Sequence, residues 1–189
     1  MGAGEIPPWP TNAPVYGSVR LRKFEDHDVS MALDLAKDPY VPTIGTLPSH
    51  ATMDEVLDWV QRQRQRHVDG FGFSSAVADL VTDRALGGIG LWVAELSEGR
   101  ATAGYSLAPR ERGKRIAAAA LTALTEFAWT IPQLYRVELY IEPWNTASIR
   151  VAERAGYLRE GLLRSHQEIG GLRRDMLLYA AIRESWETS

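Results

Sequence analysis

Leu107-Ala-Pro-Arg-Glu-Arg-Gly-Lys-Arg-Ile-Ala-Ala-Ala-Ala-Leu121 decides how this chain is read. It runs from a strand end through a tight basic turn into a helix. Thr102 to Leu107 reads as a strand, and Pro109, which cannot donate to a ladder, stops it. Gly113 reaches backbone conformations closed to other residues. From Ile116 the alanine run has the highest helix propensity there is. Arg110, Arg112, Lys114 and Arg115 crowd the start of that helix. Cations normally avoid a helix N-terminus, where the macrodipole is positive. Their presence makes sense in a loop built to hold an anion on free backbone N–H groups. The alternative is a solvated basic turn. The stretch is neither a Walker loop nor a dinucleotide fingerprint: Arg115 follows Gly113-Lys114, and Gly88-Ile-Gly90 has Val93 where a third glycine belongs.

Outward from this stretch, composition sets the bounds. The 189 residues suit one domain with a real core, and 45% hydrophobic with 24% charged residues is ordinary for a globular protein. A net charge of −3 argues against a general nucleic-acid-binding surface, so the basic loop is local. With no cysteine there are no disulfides, thiolate metal sites or cysteine nucleophiles, and no metal site is expected. No apolar run approaches the ~20 residues that span a bilayer, and no signal peptide is visible, so the cytoplasm is the expected location and no membrane partner is expected.

Along the chain, residues 1–14 carry Pro7, Pro8, Pro10 and Pro14 and read as a flexible lead-in. Residues 15–189 read as one α/β domain. Val15–Phe24 is a first strand, and Asp26 and Asp28 can cap a helix to about Ala36. Residues 38–51 are proline-rich and read as a long loop. Thr52-Met-Asp-Glu55 is a capping box opening a helix to about Val68. Arg62, Arg64 and Arg66 lie on its other face, solvated or bordering a substrate groove. Strands at Phe71–Ala78, Leu86–Ala94 and Arg100–Leu107 form a meander. After the alanine-rich helix, Val137–Ile141 is a strand, Asn145 caps a short helix ending at Gly156, and two last strands flank Gly170-Gly171.

Two motifs in this order carry a family resemblance. Arg110-Glu-Arg-Gly113-Lys-Arg115 resembles motif A of the GNAT superfamily of acyl-CoA-dependent N-acyltransferases, Arg/Gln-x-x-Gly-x-Gly/Ala, with Arg115 departing at the last position. Asn145, a helix, then Gly156-Tyr157 resembles motif B. Gly104-Tyr105, Glu160-Gly161 and Asp175-Met-Leu-Leu-Tyr179 make the set similar to the branch that acetylates ribosomal-protein N-termini, the RimJ/RimL-like enzymes. The resemblance spans roughly residues 15 to 186. It implies a single-domain GNAT fold: a mixed, mostly antiparallel sheet of about seven strands, splayed in the middle, with about four helices.

The resemblance also implies the chemistry. Acetyl-CoA is the co-substrate. Its pyrophosphate would lie on Arg110, Arg112, Gly113, Lys114, Arg115, Ile116 and Ala117, and its pantetheine on backbone of Ser106, Leu107 and Ala108, with Asn145 and Ser148 also in contact. Many members place a tyrosine seven residues after the asparagine; here that position is Ala152. Ser148 shares a helix face with Ala152 and would donate to the departing sulfur, unless it bonds the helix backbone. For a general base, the position related enzymes use appears as Gln167, which takes no proton. Glu168 and Glu138 are the catalytic candidates, with His166, Tyr140 and Glu142 nearby in the sequence. The expected acceptor is a primary amine, above all a protein or peptide N-terminus. A small amine such as an aminoglycoside or polyamine, and a non-catalytic acyl-CoA-binding module, remain alternatives. Monomer and homodimer are both open.

Overall fold

The computed structural model describes residues 6–184. The elements are β1 (Val15–Tyr16), β2 (Val19–Arg22), α1 (Val29–Ala36), α2 (Val41–Ile44), α3 (Met53–Val68), β3 (Gly72–Asp79), β4 (Ala85–Trp92), β5 (Arg100–Leu107), α4 (Ile116–Ala128), β6 (Arg136–Ile141), α5 (Thr146–Arg154), β7 (Leu158–Ile169) and β8 (Leu172–Ile182). One sheet of eight strands has the order β1-β2-β3-β4-β5-β6-β8-β7. It has one strand more than expected because Val15–Phe24 doubles back at Gly17, whose φ of 56° suits a tight turn. The loop 38–51 holds the extra helical turn α2, with Pro42 in its first turn, where the missing N–H costs nothing.

Every neighbouring pair is antiparallel except β5 and β6. Those two pair in parallel only from Arg100↔Arg136 to Thr102↔Glu138. Beyond Thr102 they separate, and the rest of β5 has no strand partner on that side. This is the splay the resemblance implied. Consecutive residues of each strand feed two cores. One core lies under α4 and α5 and holds Phe73, Val77, Ile89, Leu91, Ala103 and Leu121. The other lies under α1 and α3 and holds Phe24, Ala76, Leu35, Val56 and Trp59.

Three local signals behave as their chemistry dictates. Thr52 and Glu55 form the reciprocal capping box. Asn145 Oδ1 accepts from the Ser148 N–H at 3.1 Å and starts α5. Gly156, at φ 83°, ends it. Two places carry detail the sequence does not announce. Of the lead-in, residues 1–5 lie outside the described residues, but Ile6 and Trp9 pack on the α4-side core, and Trp9 meets His67 edge-on at 5.6 Å. β7 is not regular: its register with β8 slips between Leu163 and Gln167, around Ser165 at φ 51°. From Gln167 the pairing is regular again, so Gln167 and Glu168 point to opposite faces, and the bulge breaks alternation only upstream of them.

Candidate active site

The two walls of the splay come from β5 with the loop behind it, and from β6 with α5. Pro109–Glu111 forms a short 3₁₀ turn, with Glu111 N–H on Ala108 O at 2.8 Å. The backbone ladder stops at Arg112 N–H to Pro109 O and resumes at Ala119 N–H to Arg115 O. The six N–H groups of residues 113 to 118 have no acceptor among the described residues. Gly113 takes φ 77° and Arg115 takes φ 63° with ψ 8°. These left-handed turns aim successive amides into one concave cradle at the start of α4, the shape and polarity an anion needs.

The cations do less than their number suggests. Arg110 pairs with Asp34 at 2.9 Å, Arg112 with buried Asp38 at 2.7 Å, and Lys114 with buried Glu111 at 3.1 Å. Arg84 also holds Glu111, at 2.7 Å. Hydrogen bonding to Arg84 keeps the Glu111 carboxyl below the usual carboxylate range despite burial, so it stays charged and neutralises its partners. Of the four loop cations, only Arg115 has no carboxylate partner among the described residues. Its departure from Gly/Ala thus has a geometric reading. The position demands left-handed backbone, which glycine adopts freely, and arginine accepts strain there while keeping a free charge.

Along β5, Ala108 N–H donates to Leu86 O at 3.0 Å. Antiparallel alternation then turns the polar backbone of Ser106 toward β4 as well, and that of Tyr105 and Leu107 toward the gap. Leu107 O accepts from Arg112 Nε at 3.2 Å. The backbone edge along the gap is therefore Tyr105 and Leu107, in place of the expected Ser106 and Ala108.

From the other wall, α5 brings Ser148. Its hydroxyl makes no bond to the helix backbone, unlike Thr122 and Thr125 of α4, which donate to Ala118 O and Leu121 O. It faces Tyr105. The Tyr105 oxygen is buried and has no hydrogen-bond partner among the described residues. Burial pushes this phenol up to about 12, offset only in part by Ser148. Ser148 is thus near enough to influence the phenol but not seated for a hydrogen bond with it. Two hydroxyls stand opposite each other with donor capacity unspent. Sequence reading missed Tyr105, because a tyrosine on a strand looks like core until α5 is seen on the same face.

The expected bases sit differently. Glu138 is buried where the parallel pairing ends, ion-paired with Arg136 and accepting from Tyr140 Oη at 2.7 Å. Burial raises its carboxyl, yet the hydrogen bonds from Arg136 and Tyr140 outweigh it and hold the group below the usual range. Glu142, just past β6, accepts from Tyr40 Oη at 2.7 Å and lies 3.6 Å from Arg174. Tyr40 belongs to the segment whose Asp38 grips Arg112, so residues 38–40 tie the two walls together. Glu168 is exposed near the β7–β8 turn, in register with Arg173, and does not join Ser148. His166 stacks on Tyr140 at 4.8 Å.

The acetyltransferase (GNAT) domain model matches residues 18–158, three quarters of the chain. The chain belongs to the GNAT acetyltransferase family. An N-acetyltransferase of Bacillus licheniformis, p20, named as uncharacterized, is 26% identical over 166 residues, covering 88% of this chain and 93% of that one. YdaF of Bacillus subtilis strain 168, provisionally named a ribosomal N-acetyltransferase, is 31% identical over 133 residues, 70% of this chain and 69% of its own. Mycobacterium smegmatis RimJ, solved with CoA-disulfide, superposes with a TM-score of 0.72 at 25% identity, over 94% of this chain and 87% of that one. This GNAT protein is an acetyl-CoA-dependent N-acetyltransferase. The amide cradle and the open β5 edge fit coenzyme A on the geometry of this chain alone.

Proposed function

We propose that this enzyme acetylates the N-terminal α-amine of a protein or peptide. The observation that carries this reading is the state of the carboxylates. Glu138, which flanks the gap, spends both carboxylate oxygens on Arg136 and Tyr140 and is held below the usual range, and Glu142 accepts from Tyr40. A carboxylate so stabilised is a poor acceptor for the amine's proton. An acceptor that is already partly neutral suits such a site. An α-amine titrates near 7.7–8.0, so roughly a tenth is neutral at pH 7, against fewer than about one in a thousand for lysine. The provisional name of YdaF, a ribosomal N-acetyltransferase, points the same way.

Acetyl-CoA supplies the thioester carbonyl and a sulfur leaving group. In the proposed division of labour, the amides of residues 113 to 118 with Arg115 hold the pyrophosphate. Gap-facing backbone N–H of Tyr105 or Leu107 donates to the carbonyl oxygen as it gains charge. The amine lone pair forms the new C–N bond, the C–S bond breaks, and sulfur leaves with its electron pair. Ser148 and Tyr105 donate hydrogen bonds to that sulfur, and the amine's proton passes to water. A phenol near 12 remains protonated throughout, so it serves as donor and never as base. Thiol release from acetyl-CoA, measured against free-N-terminal peptides, N-acetylated lysine peptides and polyamines, tests the reading. Turnover confined to free α-amines supports it, and preference for lysine or polyamine side chains contradicts it. Gly113→Val should abolish coenzyme A binding by calorimetry. A Cβ there meets nothing within 4 Å, so the loss would come from the left-handed backbone and not from crowding. Unchanged affinity would remove the cradle assignment.

A further inference from the structure

On the α1–α3 side of the sheet, a cleft of about 370 Å³ opens beside Ser106. Its walls are aromatic and aliphatic: Phe24, Ile44, Leu47, Trp59 and Trp92. Gly104 of β5 lies on it, and a Cβ there would meet nothing within 4 Å, so the strand leaves room at this point. The cleft's neutral polar groups are largely satisfied among themselves. Ser74 Oγ donates to Gln63 Oε1 at 2.9 Å, and Gln63 Nε2 donates to Trp59 O at 3.3 Å.

Among the described residues its one charged lining residue is Arg66, and none of them brings a carboxylate to the cleft. The guanidinium lies 4.7 Å from the Trp92 ring centroid and donates to Thr46 Oγ1 at 3.0 Å. Among the described residues it has no acidic partner, although its helix neighbour Arg64 pairs with Asp26. Burial is the main influence that lowers the Arg66 pKa, and Arg62 adds like-charge repulsion. The cleft is therefore apolar with a net positive end. A half-buried cation without a counterion is costly to maintain, and a planar guanidinium braced on a tryptophan is pre-organised for a carboxylate.

We infer that Arg66 binds an acidic side chain of the acceptor, and that the acceptor is a peptide whose first residues combine an apolar group with Asp or Glu. This rests on the reading of the site as a peptide N-terminal acetyltransferase and adds its specificity. The same field repels polyamines and aminoglycosides, whose extra cations would meet Arg66 and Arg62 with no carboxylate to receive them.

The test is thiol release from acetyl-CoA with matched tetrapeptides carrying Asp, Asn or Lys at positions two to four, with spermidine alongside. The wild-type enzyme should favour Asp over Asn by about tenfold in kcat/KM, the scale of one charge-assisted hydrogen bond, and Lys should fall below both. Arg66→Gln should flatten the series and Arg66→Glu should reverse it, with coenzyme A affinity unchanged as the check on folding. A series indifferent to charge, an order that Arg66→Glu leaves intact, or a preference for spermidine overturns the inference. Turnover of free α-amines without charge preference would leave the N-terminal reading standing, whereas turnover of no amine at all would overturn both.

Discussion

The hydroxyls on one face of the splayed sheet and the carboxylates on the other are treated in opposite ways. On the α4–α5 face, Ser148 and Tyr105 keep donor capacity unspent beside the gap, one hydroxyl free of its own helix and the other buried without a partner. On the α1–α3 face, Glu138 is saturated by Arg136 and Tyr140, and Glu142 accepts from Tyr40 with Arg174 3.6 Å away. A buried polar group left unpaired is costly and is retained where a ligand will pair it; a buried carboxylate fully paired is chiefly structural. The contrast implies that catalysis leans on stabilising the departing sulfur and the carbonyl oxygen, not on a strong base.

The contrast breaks most visibly at Ser148. Ser148→Ala should lower kcat by about ten- to a thousandfold, the range for donors acting on developing charge, with little change in coenzyme A affinity or stability. Full activity in that variant, with any acceptor the enzyme uses, would remove the donor role. Glu138→Gln sharpens the other half. Its kcat should stay within about threefold of wild type, because the carboxylate is not the base, while its response to acid should change. Since the Glu138 carboxyl is held below its ordinary 4.5, its contribution to stability is present above that value and is lost as pH falls through the lower folded value. Thermal melts across that window should show a shallower acid limb in the glutamine variant. A large loss of kcat at unchanged stability would instead make Glu138 the base. Arg115 offers the smallest effect. Arg115→Gly should be more stable than Arg115→Ala by about 1 kcal/mol, because only glycine relieves the left-handed backbone. Both variants should bind coenzyme A less tightly than wild type. Tighter binding by Arg115→Gly would mean that the arginine obstructs the cradle.

Much of this was legible in the sequence because it is local. Pro109, Gly113 and the alanine run mark the end of β5, the turn and the start of α4; Thr52 with Glu55 and Asn145 with Ser148 mark helix starts through their own hydrogen bonds. What was hidden depends on distant partners. Nothing near Arg110 or Arg112 shows that Asp34 and Asp38 spend their charge; only Glu111, three residues before Lys114, is a local partner. Arg62, Arg64 and Arg66 look alike at helical spacing, yet Arg64 reaches Asp26 while Arg66 turns onto Trp92. The bulge at Ser165 carries no glycine to announce it, so alternation could not be carried across it from Leu163 to Gln167. Tyr105 acquires meaning only when α5 closes over the same face.

The central claim is that Ser148 and Tyr105 stabilise negative charge on sulfur, and it can be measured without knowing the acceptor. Bound coenzyme A can be titrated by the ultraviolet absorbance of its thiolate. A free thiol titrates near 8.5, and two donors aimed at sulfur should bring the bound thiol below that value in the wild-type enzyme. Tyr105→Phe and Ser148→Ala should each raise it, and the double variant should return it by roughly one unit toward the free value, a tenfold change in thiolate fraction at fixed pH. A bound thiol that titrates at the same pH in wild type and in the double variant, with coenzyme A affinity retained, would contradict the account.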